Sequence, residues 1–196
     1  MRSAEIKRTT AETSIALSLN LDGTGAGKIE TGVGFMDHML TLLSRHARMD
    51  LNVCCKGDTA VDDHHSVEDI GICLGAAIAQ AVGDKRGVKR YGSMLLPMDE
   101  ALVLCALDLS GRSCLRYQAQ IPSQKIGTFD TELVEELFLG LTRSAGMTLH
   151  LRQMDGTNSH HIVEAMFKAF GRALREAVSI DESLKGEIPS TKGVLV

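Results

Sequence analysis

Four of the seven histidines fall in two copies of one pattern, His64-His65-Ser66-Val67-Glu68 and His160-His161-Ile162-Val163-Glu164. On a helix the first histidine and the glutamate of each copy are four apart and share a face, while the second histidine is turned about 100° away. Adjacent histidines so placed point to different places, and each copy can serve two different metal ions. A solvated helix start reads the same way when it stands alone. Three ligand-type residues retained at matched positions, while their neighbours diverge, argue instead for metal binding. His38 and its counterpart Glu136 extend the set to five histidines and three carboxylates. With no thiolate among them, this mixture suits Mn²⁺, Fe²⁺ or Co²⁺ at least as well as tetrahedral Zn²⁺, and Mn²⁺ is the expected ion. His150 reads first as structural and second as a ligand; His46, at the end of the His38 helix, is placed to face the same cavity and contact a substrate.

The elements that position these residues also come in pairs. Glu12 precedes Ile15, Leu17, Leu19 and Leu21, alternating with polar or small residues, and Glu100 precedes Val103, Cys105, Leu107 and Leu109 in the same way, 88 residues later. Each run predicts a strand with one buried face. Residues 34–51 align with 132–149, Leu43 on Leu141 and Met49 on Met147, and both predict an amphipathic helix followed by extended chain. Residues 64–82 align with 160–178 through His64, His65, Val67, Glu68, Gly75, Ala77, Ala81 and Val82. The expectation is an internally duplicated α+β fold, residues 1–93 and 94–196, packed around a pseudo-twofold as one structural unit. Small residues on the second helices (Gly71, Gly75 and Ala77; Ala165, Gly171 and Ala173) predict close helix packing or a subunit contact.

Composition narrows the function classes. A formal charge of −4 and only five Phe, two Tyr and no Trp leave little to hold phosphodiester backbones or stack bases, so nucleic acid is not an expected partner. No run approaches the length of a membrane span, and the start MRSAEIKRTTAETS lacks the apolar stretch of a signal peptide, so a cytoplasmic protein is expected. Five cysteines without CxxC spacing (Cys54, Cys55, Cys73, Cys105, Cys114) read as small core residues.

The segments GFMDHML, DDHHSVEDIGICLG, SHHIVEAMFKAFGRALREA and PSTKGVL together resemble the imidazoleglycerol-phosphate dehydratase family, over nearly the whole chain. The resemblance implies a fold of the ribosomal-protein-S5-domain-2-like type and a Mn²⁺-dependent hollow particle of 24 subunits with active sites at subunit interfaces. Carried over by position, the metal ligands are His38, His64, His65, Glu68, His160, His161 and Glu164, with Glu136 eighth, where several relatives are expected to carry histidine. Whether Glu136 ligates directly, through water or weakly stays open. Implied substrate contacts are Glu12, the stretch from His38 to His46, Arg90, Arg112, Lys168, Ser190, Thr191 and Lys192, whose basic members suit a phosphate monoester. The length is expected to leave no room for the phosphatase domain fused to some relatives.

The implied reaction removes water from D-erythro-imidazole-glycerol phosphate to give imidazole-acetol phosphate. The hydrogen to be lost is not next to a carbonyl, so no enolate can form. Two metal ions on the substrate ring would favour imidazolate, whose electrons expel the hydroxyl through a diazafulvene-like intermediate. Carboxylates would carry the protons: Glu12 first, then Asp99, Glu68 or Glu164, among which the sequence does not choose. A dinuclear metallohydrolase would use similar ligands but release phosphate, and a metal-stabilised cage without chemistry would not need Arg90, Arg112, Lys168 and Lys192.

Overall fold

The structure is a computed structural model describing residues 2–184 and 186–195. Two four-stranded sheets repeat one topology. In the first half, β1 (Ser3–Thr9), β2 (Thr13–Asn20), β3 (Ile29–Glu30) and β4 (Asp50–Gly57) stand in the order β1-β2-β4-β3. In the second, β5 (Tyr91–Met98), β6 (Ala101–Asp108), β7 (Cys114–Gln118) and β10 (Thr148–Asp155) stand in the order β5-β6-β10-β7. In both sheets the last neighbour pairs in parallel and the others antiparallel. Among the described residues, a short hairpin of β8 (Lys125–Ile126) and β9 (Phe129–Asp130) occurs in the second half alone and accounts for part of its extra length.

Four helices complete the halves: α1 (Gly34–Ala47) and α2 (His64–Val82), then α3 (Leu133–Ala145) and α4 (Ser159–Val178). Strand alternation turns Ile15, Leu17, Leu51 and Val53, and likewise Val103, Cys105, Leu149 and Leu151, toward the helices, where all are buried. The helices α2 and α4 lie on their own sheets, while α1 packs on α4 and α2 on α3, so the halves meet helix to helix around one core.

Those crossings depend on matched glycines. A Cβ on Gly75 would stand 2.3 Å from the Leu141 carbonyl oxygen, and one on Gly171 2.9 Å from that of Leu43. Gly75 matches Gly171 and Leu141 matches Leu43 in the sequence alignment, so the small residues of the second helices close the same backbone contact twice. The helix C-caps also correspond: Arg48 and Gly146 both take left-handed backbone, at φ 56° and 61°.

Two expectations need correction. A boundary after residue 93 falls inside β5, which is one continuous strand paired with β6. The division lies instead in residues 83–90, between the end of α2 and the start of β5. Cys54 and Cys114 are not core residues: Cys54 is exposed, because the alternation of β4 buries its neighbour Cys55, and Cys114 is half-buried at the start of β7.

Candidate metal centre and substrate cleft

The first turn of α4 is fixed by Asn158, whose side chain accepts hydrogen bonds from the backbone N–H groups of His160 and His161. His160 Nε2 then lies 3.0 Å from Glu164 Oε2, and His38 Nε2, delivered by α1 of the other half, lies 3.3 Å from the same oxygen. The remaining Glu164 oxygen pairs with the Lys168 ammonium one turn on. Burial raises the Glu164 pKa, but Lys168 and then His160 outweigh it and hold the carboxyl below its ordinary value. Phe35 packs edge-on against His160, with centroids 5.3 Å apart. The donor atoms of His38, His160 and Glu164 all lie within 4.8 Å of one another. Among the described residues no other group of three donors does so. Two imidazoles and one carboxylate fit a divalent ion of the Mn²⁺, Fe²⁺ or Co²⁺ type.

The second histidines of the two motifs point elsewhere, as helical spacing requires. His65 Nδ1 lies 3.0 Å from Asp58 Oδ2, and its Nε2 lies 3.7 Å from Glu12 Oε1. His161 Nδ1 lies 2.7 Å from Glu100 Oε2, and its Nε2 lies 3.7 Å from Asp99 Oδ2. Each of these imidazoles is raised above the ordinary value, His65 chiefly by Asp58 and His161 chiefly by Glu100. The Glu100 carboxyl is correspondingly lowered to about 2, first by His161 and then by the Asn158 N–H. Such carboxylate partners fix imidazole tautomer and ring orientation at metal centres. The sequence reading missed Asp58 and Glu100 in this role. Glu100 was findable, since it is the counterpart of Glu12; Asp58 has Gly156 at the matching position and no such signal.

The other expected residues are more dispersed. His64 and Glu68 lie half-buried on α2 and Glu136 half-buried on α3, the helix packed against it. His46 is half-buried, and its pKa is lowered first by burial and then by the nearby Arg172 and Lys168 charges. His150 is exposed on β10, pointing away from the helices and apart from the clustered donors.

Arg90, Arg112, Ser190, Thr191 and Lys192 line one open cleft with Tyr91 and Pro189. The Arg90 fork is held by Asp108 at 2.7 and 3.0 Å, and its Nη1 donates to the Pro189 carbonyl, so it fixes the tail that forms one wall. Arg112 and Lys192 are exposed and supply positive charge. This cleft is far from His160. The Arg90 N–H donates to the Ala177 carbonyl, near the C-terminus of α4, and the helical run from His160 to Ala177 is about 26 Å long. β5 agrees: Tyr91 starts it in the cleft, Met98 ends it where Lys168 Nζ approaches its sulfur, and the run is about 24 Å. Of the expected substrate contacts, the structure therefore groups Lys168, His38 and His46 along α1 and α4, the five cleft residues at the far end, and Glu12 beside His65.

Fold and site together define a class: a duplicated α+β protein that presents paired histidines and carboxylates at helix starts and basic groups at the opposite end of the sheet. Residues 31–174 match imidazoleglycerol-phosphate dehydratase, and the chain belongs to that family of hydro-lyases. It is 60% identical over 195 residues to the imidazoleglycerol-phosphate dehydratase of Jannaschia sp. (strain CCS1), covering 100% of both chains. It is 57% identical to that of Synechococcus sp. (strain WH7803), covering 100% of this chain and 96% of the other. Among solved structures, the Staphylococcus aureus imidazoleglycerol-phosphate dehydratase superposes with a TM-score of 0.84 at 42% identity, over 91% of this chain and 99% of the other. That of Pyrococcus furiosus gives 0.85 at 37% identity, over 97% and 100%.

Proposed function

We propose that this protein catalyses the dehydration of D-erythro-imidazole-glycerol phosphate to imidazole-acetol phosphate in histidine biosynthesis, with Mn²⁺ as its cofactor. The observation that carries the reading is the convergence of His38 from one half with His160 and Glu164 from the other, in a chain 60% identical to a named dehydratase. The candidate ligands are His38, His64, His65, Glu68, Glu136, His160, His161 and Glu164. Bound there, Mn²⁺ would withdraw charge from the substrate's imidazole ring.

The reaction removes a hydroxyl from the carbon bearing the ring and a proton from the next carbon; the resulting enol becomes the ketone by moving one proton. The chain must therefore bind a phosphate, hold the ring and relay protons. Arg112, Lys192 and the Ser190-Thr191 hydroxyls supply donors for the phosphate, with Arg90 bracing the wall behind them. Glu164 is committed to its two imidazoles and Lys168, which makes it a poor base. Glu12 is half-exposed with no hydrogen bond to its carboxylate among the described residues, and it is the group we assign to proton transfer.

The roughly 24–26 Å between the two ends of β5 and α4 exceeds the reach of so small a substrate. This supports self-association into a large homo-oligomer, of 24 subunits by family likeness, in which copies share each active site. Exposed Tyr91 and Leu95 on β5 offer apolar surface for such contacts. The described helices include none long and apolar enough to cross a membrane, in keeping with a proposed cytoplasmic location.

The test is turnover of imidazole-glycerol phosphate before and after chelation and after Mn²⁺ is restored, with particle size followed on the same samples. Product formation and the large particle lost with chelator and regained with Mn²⁺ is the expected result. A particle that returns without product overturns the assigned reaction.

A further inference from the structure

Asp69 is a carboxylate with only 6% of its surface exposed, one turn after His65 on α2. Arg8 Nη2 of β1 lies 2.9 Å from Asp69 Oδ1, and the Thr13 hydroxyl of β2 donates to Oδ2 at 2.5 Å. One side chain thus ties both strands of the β1-β2 hairpin to the helix. The turn between those strands is Thr10-Ala11-Glu12, and it is cross-braced: Thr10 Oγ1 accepts the N–H groups of Glu12 and Thr13 at 3.1 and 3.0 Å. The Glu12 carbonyl then accepts the Asp58 N–H at 3.1 Å, and the Asp58 carboxylate holds His65. A continuous chain of polar contacts runs from Asp69 through Thr13, Thr10 and Glu12 to His65.

The duplication supplies an internal control. The positions matching Arg8, Thr13 and Asp69 are Leu96, Ala101 and Ala165, and all three are buried apolar residues. The same hairpin-on-helix packing therefore forms without a buried carboxylate paired to a half-buried arginine, an arrangement that costs desolvation an apolar contact does not. What differs is the glutamate. Glu100 is anchored through its own carboxylate, which accepts from Thr157 N and Asn158 N at 3.1 and 2.7 Å and contacts His161. Among the described residues the Glu12 carboxylate has no hydrogen bond, only the His65 Nε2 contact at 3.7 Å, and the hydrogen bonds that set its place are those of its backbone.

We propose that Asp69 is the positioning residue for Glu12, holding through Thr13 the turn that keeps this unanchored carboxylate against His65. The inference rests on the proton-transfer role assigned to Glu12 above. Its logic is that a glutamate that must react cannot also be tied down by its carboxylate, so the polar contacts move to the backbone that carries it.

The test compares Thr13→Val, which keeps shape and the Arg8–Asp69 pair but removes the hydroxyl, with Thr13→Ser, which restores it, and with Asp69→Asn. All are assayed as assembled Mn²⁺ protein on imidazole-glycerol phosphate, and a crystal structure of Thr13→Val is solved beside the wild type. In Thr13→Val, kcat is expected to fall about tenfold or more, since small misplacement of a reacting group is costly. KM and bound Mn²⁺ should stay within about twofold. Thr13→Ser should recover most of the loss, and the residue 10–12 turn should be displaced from His65 in the Val structure. An undisplaced turn with unchanged kcat overturns the proposal, as does equal loss in the Val and Ser variants. A wild type that forms no imidazole-acetol phosphate overturns the function proposed above instead; the position of the turn in Thr13→Val then decides the role of Asp69 by itself.

Discussion

Glu100 Oε2 lies 2.7 Å from His161 Nδ1, whereas Glu12, which matches Glu100 across the duplication, stands 3.7 Å from the equivalent His65. One carboxylate is hydrogen-bonded to its histidine and the other is not. The two halves share a fold but divide in how they hold their matched glutamates.

That division separates two substitutions of the same kind. Glu12→Gln is expected to lower kcat by about 100-fold or more, with Mn²⁺ content and assembly kept, as loss of a general acid-base does. Glu100→Gln should instead lower Mn²⁺ affinity, by about 10-fold or more, because His161 loses the partner that orients it. Metal analysis after desalting, alongside turnover, distinguishes them; persistence of turnover within a few-fold in Glu12→Gln would remove it from the mechanism.

The response to pH follows from the two raised imidazoles. In the metal-free chain, Asp58 holds His65 and Glu100 holds His161 above the ordinary 6.5, so both stay protonated at higher pH than a free histidine. A metal takes only the neutral ring. Mn²⁺ retention should therefore fall as pH drops, beginning above pH 6.5, and uptake at neutral pH should release protons, measurable by calorimetry in buffers of different ionisation heat. For the metal-free fold the sign reverses. Its histidine contribution is complete below pH 6.5 and is lost as pH rises through the raised values.

Gly75→Ala should destabilise the helix crossing by about 1–3 kcal/mol, because the new Cβ meets backbone rather than a movable side chain. Gly171→Ala should cost less, as its closest approach is 2.9 Å against 2.3 Å. Denaturant unfolding of both variants checks the order.

Arg48→Gly should act in the opposite direction. Arg48 caps α1 in left-handed backbone where Gly146 caps α3, and relief of that conformation offsets the entropy lost with glycine, for a gain of about 0.5–1 kcal/mol. The same unfolding experiment reads it.

Much of the architecture was legible because duplication writes most elements twice: the matched long strands, helices and histidine motifs recur in register. Periodicity identified the faces that bury Leu17 and Val103, and the two matched histidine segments both fall on helices, α2 and α4. The edge strands β3 and β7 and the β8-β9 hairpin escaped, being too short or too exposed for a periodic signal. The polar partners were harder. Asp69 and Asp108 act on side chains distant in sequence, Asp58 on one across an irregular loop, and an aspartate looks alike in sequence whether it faces water or braces a histidine. Nor could spacing along the chain reveal that the basic cleft and His160 sit at opposite ends of α4.

That separation gives the most direct test. Lys168 stands beside Met98, at one end of β5, and Arg112 lines the cleft at the other end, where Tyr91 begins the strand; the variants are Lys168→Gln and Arg112→Gln. The two variants, each expected to be inactive alone, are mixed in equal amounts after chelation and reassembled with Mn²⁺. If each active site draws these residues from different copies, random mixing restores about a quarter of wild-type activity. A reassembled particle that stays inactive would contradict the shared site.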